Sequence, residues 1–189
     1  MPAVRVRAGL ADIIKYGLIC DIEFLAWLEA NMSLLRGRDA AALTHVIYRS
    51  CQIKAGIVGR DEREQGERAL LNFGHTFGHA IEAATGYVEW LHGEAVGTGM
   101  LIATDMSRRM GLVSDSDMQR VAALLRAAGL PHNAPQCGAE SAASFMRIDK
   151  KVHAGRVRLV LLKQLGEAFL TGDYPDATLN DTLVSHFGK

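Results

Sequence analysis

Leu70-Leu71-Asn72-Phe73-Gly74-His75-Thr76-Phe77-Gly78-His79-Ala80-Ile81-Glu82 is the stretch from which the rest of the chain can be read. It sets two imidazoles four residues apart, so in a helix both leave one face, one turn apart. That is geometry for a metal site or for acid–base chemistry. Gly74 and Gly78 each cost about 1 kcal/mol in a helix interior, and they lower one wall of the helix, so that something can approach the backbone beside the histidines. Two plainer readings stand beside this one: glycines that serve helix packing, and histidines hydrogen-bonded within a core. The histidine pair together with Asn72 on a neighbouring face favours a functional site. The pattern predicts one helix from about Ala69 to Thr85, stopped by Gly86.

Working outward toward the C-terminus, Trp90-Leu91-His92-Gly93-Glu94-Ala95-Val96 places a third imidazole at the mouth of a helix rich in small residues, which runs to about Met110 and ends at Gly111. One ligand inside a helix, one at the entry of the next and a carboxylate from elsewhere would supply a three-ligand metal site. Ser114 to Asp117 supplies a capping box for an amphipathic helix over Met118 to Ala128. A short helix with Phe145, Met146 and Ile148 ends in Asp149-Lys150-Lys151. Arg156 to Leu162 and Ala168 to Leu170 flank a turn at Gly166 and predict a hairpin. A last helix follows Tyr174-Pro175, with Asp176 as its cap and Leu179, Leu183 and Phe187 inward.

Toward the N-terminus, a short extended start leads into a helical pattern from Gly9 through Leu28. Asp12 falls among its core-type residues, and burying a carboxylate costs several kcal/mol unless a cation or metal offsets it (roughly, from). Pairing with Lys15 one turn on, or capping the helix, is the plain alternative. Gly37 breaks the pattern, and Asp39 can cap a second helix whose apolar face takes Leu43, Val46, Ile47, Cys51, Ile53 and Ile57. Lys54 sits near its end, where a lysine commonly complements the helix dipole. Arg60 to Arg68 is a mixed-sign run, ordinarily a solvated loop and no simple phosphate clamp.

The 189 residues suffice for one good-sized domain. Lys plus Arg number 21 and Asp plus Glu 21, so the charge balance predicts neither nucleic acid nor membrane as a partner. Three scattered cysteines form no CxxC, which argues against a disulfide framework or thiolate zinc site and for a reducing compartment. With no apolar signal core and no stretch long enough to span a bilayer, the sequence predicts a soluble, cytoplasmic protein. A single, mainly α domain with a small β-hairpin near the C-terminus is the simplest account of residues 1–189.

Ala11-Asp12-Ile13-Ile14-Lys15-Tyr16-Gly17, Lys54 seven residues before Asp61-Glu62-Arg63-Glu64, the histidine stretch, His92-Gly93-Glu94-Ala95-Val96 and Asp149-Lys150-Lys151 occur in one order. Together they closely resemble the C-terminal, metal-binding half of 3-dehydroquinate synthase, an enzyme of the shikimate pathway, over essentially the whole chain. The resemblance implies a multi-helix dehydroquinate synthase-like C-terminal domain and a homo-oligomer. No strand followed by a glycine-rich phosphate turn precedes Gly9, and no later GxGxxG appears, so the expectation is that the N-terminal NAD-binding domain is absent. NAD+ would belong to the full-length enzyme only.

Carried over residue by residue, the resemblance implies a metal, usually zinc or else cobalt, held by Asp12, His75 and His92. His79 would be an acid–base and hydrogen-bonding group. Lys15, Lys54, Arg68, Asn72 and one of Lys150 and Lys151 would hold the carboxylate, hydroxyls and phosphate of a sugar-acid phosphate substrate, with Glu64 orienting the cations. The family usually has glutamate where this chain has Asp12, one methylene shorter. Zinc polyol dehydrogenases and iron-dependent alcohol dehydrogenases use aspartate there and are the enzymatic alternative, although a neutral alcohol would not need the lysines and Arg68. A non-catalytic metal-binding remnant acting as an assembly module is the other alternative. Loss of a partner domain predicts an exposed apolar face along Gly9 to Tyr16 and the Gly74 and Gly78 wall, and hence self-association.

Overall fold

The computed structural model describes residues 3–61, 66–149 and 156–188, with side chains from Arg7 onward and up to Arg147 in the middle segment. Eight α-helices and one hairpin occupy these residues: α1 (Ala3–Cys20), α2 (Ile22–Arg36), α3 (Ala40–Arg60), α4 (His75–Ala84), α5 (His92–Arg109), α6 (Asp115–Ala127), α7 (Ala139–Asp149), β1 (Leu159–Gln164), β2 (Glu167–Thr171) and α8 (Asp176–Phe187). None of the helices is long and apolar enough to cross a membrane.

The caps follow local chemistry. Asp21 accepts from the Phe24 amide and starts α2, so the apolar pattern from Gly9 through Leu28 is two helices rather than one. Asp39 accepts from the Ala42 amide and starts α3, and Ser114 with Asp117 forms the capping box of α6. Asp176 does not cap α8: Pro175 holds the cap position without a side-chain bond, and Asp176 instead pairs with Arg156.

α5 is the central helix, packed by α1, α4, α6, α8 and β1. Nearly every side chain from Ala95 to Ser107 is buried, and its polar members are satisfied. Thr104 donates to the Met100 carbonyl. Ser107 donates to the Ala103 carbonyl and accepts from the Leu162 amide of β1, which ties the hairpin to the helix. β1 and β2 are antiparallel with a bulge between Leu162 and Gln164; Gly166, at φ +84°, makes the turn and donates to the Leu18 carbonyl at 3.0 Å.

Several sequence expectations need correction. The predicted helix over 69–85 is a 3-10 helix (Glu67–Asn72), a break, and then α4. Gly74 lies outside the helix as its N-cap at φ +81°, so its freedom serves the turn. The wall of Gly74 and Gly78 is filled by α5. A Cβ on Gly74 would meet the Val96 carbonyl oxygen at 2.7 Å, and one on Gly78 would meet the Val96 Cα at 3.1 Å. Packing, the plainer reading, explains both glycines. The apolar face predicted to be exposed along Gly9 to Tyr16 is likewise internal, because Leu10, Ala11, Ile14 and Tyr16 are buried. Exposed large apolar side chains lie elsewhere, with Tyr87 and Val88 after α4 and Ile47 and Tyr48 on α3. Of the face predicted for α3, Val46 and Ile57 are buried, whereas Ile47 and Cys51 are exposed. α1 also begins earlier than expected, replacing the extended start.

Candidate metal and anion site

His75 is the first residue of α4 and His79 lies one turn on, so both rings leave one face with centroids 5.7 Å apart. α5 begins at His92 and packs along α4, which brings a third ring 5.2 Å from His75 and 6.0 Å from His79. Backbone contact makes this approach possible. A Cβ on Gly99 would sit 2.7 Å from the Gly78 nitrogen, so only glycine lets the helices come this close. The N-terminus of α5 is fixed by Glu94, which accepts from the Leu91 amide at 3.3 Å and pairs with Arg7 at 3.6 Å.

Beside His75 a cleft of about 290 Å³ opens, lined by Asp12, Lys15 and Tyr16 of α1, Lys54 of α3, and Arg68, Leu71 and Asn72 of the 3-10 helix. Three cationic side chains on its wall favour an anion. The expected burial at Asp12 falls on its neighbour instead. The Asp12 side chain is 58% exposed, whereas that of Lys15 is 6% exposed, with Nζ 2.7 Å from Asp12 Oδ1. The Lys15 ammonium also lies 5.8 Å from the Tyr16 ring centre, close enough for a cation–π contact. The pairing offered as the plain alternative for Asp12 is therefore present.

The electrostatics of His75 suit a ligand. Burial, with the Lys15 ammonium adding to it, pushes the imidazole down to about 4, so at neutral pH the ring is uncharged and keeps a lone pair to offer. Its Nδ1 lies 3.3 Å from the Phe73 carbonyl. Burial, then the Asp12 carboxylate, pushes the Tyr16 hydroxyl up, which keeps it protonated as a donor in the cleft.

Of the residues expected at the site, Asp12, Lys15, Lys54, Arg68, Asn72 and His75 line one cleft, and His79 and His92 adjoin it through His75. Glu64, Lys150 and Lys151 lie outside the described residues. Sequence reading missed Glu82. His79, Glu82 and His92 offer ligand atoms all within 4.8 Å of one another, and His92 Nδ1 is 3.1 Å from Glu82 Oε1. The signal lay in the opening stretch, where Glu82 stands three residues after His79 and seven after His75, on the same helical face. Imidazole nitrogens and carboxylate oxygens are donors that suit zinc and neighbouring divalent metals, so the residues present fit such an ion. The fit to NAD+ is different: among the described residues the sheet is a two-stranded antiparallel hairpin, not the parallel βαβ unit whose turn cradles a dinucleotide.

Comparison with known proteins agrees with this architecture. The chain is 55% identical over 188 residues to a 3-dehydroquinate synthase of Azotobacter vinelandii, covering 99% of this chain and 51% of that protein. It is 52% identical over 183 residues to one of Acidithiobacillus ferrooxidans, covering 97% and 50%. The chain thus spans about half the length of the curated relatives it matches. Among solved structures it resembles the 2-epi-5-epi-valiolone synthase ValA of Streptomyces hygroscopicus, determined with NAD+ and Zn2+ bound, at a TM-score of 0.85 and 29% identity over 98% of this chain and 52% of that one. A 2-deoxy-scyllo-inosose synthase complexed with carbaglucose-6-phosphate, NAD+ and Co2+ shares the fold, at a TM-score of 0.83 and 22% identity over 98% of this chain and 53% of that one. The family model for the 3-dehydroquinate synthase C-terminal domain matches residues 9–152, and the chain belongs to that family.

Proposed function

We propose that this chain is the metal- and substrate-binding part of a 3-dehydroquinate synthase, which eliminates phosphate from 3-deoxy-D-arabino-heptulosonate 7-phosphate and closes the carbocycle. The observation that carries the reading is the gathering of Asp12, Lys15, Lys54, Arg68, Asn72 and His75 on one cleft, with His92 ring to ring against His75. On this reading Asp12, His75 and His92 hold a divalent metal, with zinc favoured by the donor set. Lys15 engages Oδ1 of Asp12, and a monodentate ligand needs only the other oxygen. When bound, the ion would lower the pKa of a coordinated substrate hydroxyl and polarise the ketone formed from it.

The remaining roles fall to the chain's own residues. Lys15, Lys54 and Arg68 hold the anionic groups of the substrate, and Asn72 orients a hydroxyl. His79, one turn from His75, accepts and returns protons at the reacting carbon and its oxygen. Glu64 and one of Lys150 and Lys151 complete the phosphate and cation arrangement by family likeness. The hydride steps belong to the half of the relatives that this chain does not span, so the 189 residues alone should turn over no substrate and gain activity when that half is supplied.

Competition titration of zinc against a chromophoric chelator tests the metal assignment. Asp12→Ala, His75→Ala and His92→Ala should each weaken binding by about 100-fold or more, in line with loss of a coordinate bond from a three-ligand site. Wild-type affinity in His75→Ala or His92→Ala would refute it.

A further inference from the structure

The imidazoles of His75 and His92 each have one nitrogen already committed. A carbonyl oxygen only accepts, so the 3.3 Å contact between His75 Nδ1 and the Phe73 carbonyl places the ring proton on Nδ1. A carboxylate oxygen accepts too, so the 3.1 Å contact between His92 Nδ1 and Glu82 Oε1 does the same for His92. Both rings therefore present Nε2 lone pairs, one through a backbone acceptor and one through a side chain. Burial is divided unequally in the second pair. The Glu82 side chain is 12% exposed and that of His92 is 56% exposed; the carboxylate is anchored in α4, while the imidazole at the first residue of α5 is open to solvent apart from Glu82 and the two neighbouring rings.

We infer that Glu82 is a positioning residue for the metal site: it fixes the tautomer and ring angle of His92 so that Nε2 faces the His75 ring, without itself being a ligand. The inference rests on the metal reading above and adds to it a residue that the ligand set alone does not name. Glu82, His79 and His92 are close enough to be mistaken for a ligand triad. If Glu82 took the metal through Oε1, His92 Nδ1 would lose its acceptor; a bond through Oε2 would leave that contact in place, and the cobalt ligand number of Glu82→Ala separates it from the positioning role. A carboxylate behind a ligating histidine is a common arrangement, and removing it generally weakens metal binding by 10- to 100-fold (about, from).

The test uses the 189-residue chain with zinc as the probe, in wild type, Glu82→Gln, Glu82→Ala and His92→Ala. Glu82→Gln keeps an oxygen acceptor of the same size and guards against misfolding. Expected are a 10- to 100-fold loss of zinc affinity in Glu82→Ala (roughly, from), a smaller loss in Glu82→Gln, and the same ligand number in the cobalt absorption spectrum of all but His92→Ala. In the metal-free chain, nitrogen-15 NMR should show His92 protonated on Nδ1 in wild type and shifted toward a tautomer mixture in Glu82→Ala, a change that a merely structural carboxylate would not cause. Wild-type affinity in Glu82→Ala beside a large loss in His92→Ala would overturn the inference alone, as would a proton on Nε2 in wild type or loss of a cobalt ligand in Glu82→Ala. Unchanged affinity in His92→Ala would overturn the metal reading, and with it the role given to Glu82.

Discussion

α5 carries a histidine–carboxylate pair at each end, and both measure 3.1 Å. At its start His92 meets Glu82 of α4; near its end Asp105 meets His186 of α8. The distance is equal and the surroundings are not. Asp105 is 4% exposed and also accepts from Arg109 Nε at 2.8 Å and from Arg108 Nε and Nη2 at 2.9 and 2.7 Å. Burial would raise its carboxyl, but the bonds from His186, Arg109 and Arg108 outweigh that and hold it well below the usual carboxylate range. That pair is saturated by cations on its own side and fastens α8 to the core. The pair at the other end has a half-exposed imidazole, two further rings beside it and a cleft adjoining. A histidine and a carboxylate in contact thus do not make a site. The difference is in the surroundings: two arginines and a buried carboxylate at one end, neighbouring imidazoles and an adjoining cleft at the other.

The comparison can be broken most severely at the helix crossing that positions the site. Gly99→Ala would drive a Cβ into the backbone of Gly74 and Gly78, and backbone cannot yield as a side-chain end does. The expected loss is about 3 kcal/mol in urea unfolding, with weaker zinc binding because His75 and His92 can no longer approach. A stable variant with wild-type zinc affinity would show that close packing of α4 on α5 does not set the geometry.

Asp105→Asn should break the other end alone. Leaving the arginines and His186 short of their shared acceptor should cost about 2 to 3 kcal/mol, less than for a fully enclosed pair because the arginines partly reach solvent, with zinc affinity unchanged. The pH dependence has a definite sign. A carboxyl depressed in the folded state contributes stability above its unfolded value, near 4 (about, from), and loses it as pH falls from there toward the lower folded value. Urea midpoints between pH 5 and pH 3 (roughly, from) should therefore fall less in Asp105→Asn than in wild type. Equal slopes would remove Asp105 from the acid response.

Much of this was legible in the sequence wherever the signal was local. Caps at Asp39 and Ser114, the stop at Gly111, the start of α5 at His92 and the hairpin about Gly166 each follow from a few neighbouring residues. The spacing of His75 and His79 was enough to put them on one face. The failures share a different cause. Gly74 reads as a helix interior residue until the 3-10 segment before it is known, and its close contacts come from Met100 and Val96, distant in sequence. Asp12 and Lys15 lie one turn apart, and periodicity alone could not say which of them turns inward. Glu82 was within the quoted stretch, but its role depends on where His92 arrives from the next helix. Asp105 and His186 are 81 residues apart, and no spacing rule connects them.

The smallest effect sharpens the comparison by asking how far each end of α5 extends its influence. Ser114 Oγ accepts from the Asp117 amide at 3.1 Å and the Ser114 amide donates to Asp117 Oδ2 at 3.0 Å, so Ser114→Ala should cost about 1 kcal/mol through the first turn of α6. The next residue, Asp115, accepts from Arg108 Nη1 at 3.0 Å, and Arg108 is one of the groups that saturate Asp105. Fraying of this turn therefore reaches the buried carboxylate through one shared arginine. In a double-mutant cycle, Ser114→Ala and Asp105→Asn should be non-additive by about 0.5 kcal/mol or more, while Ser114→Ala and Glu82→Ala should add within about 0.3 to 0.5 kcal/mol. The reverse pattern would mean that α5 transmits strain along its length and that its two ends cannot be treated as separate designs. Additivity at the histidine end would instead place the independence of the site in the rigidity of the α4–α5 crossing, where the backbones of Gly74, Gly78 and Gly99 come close.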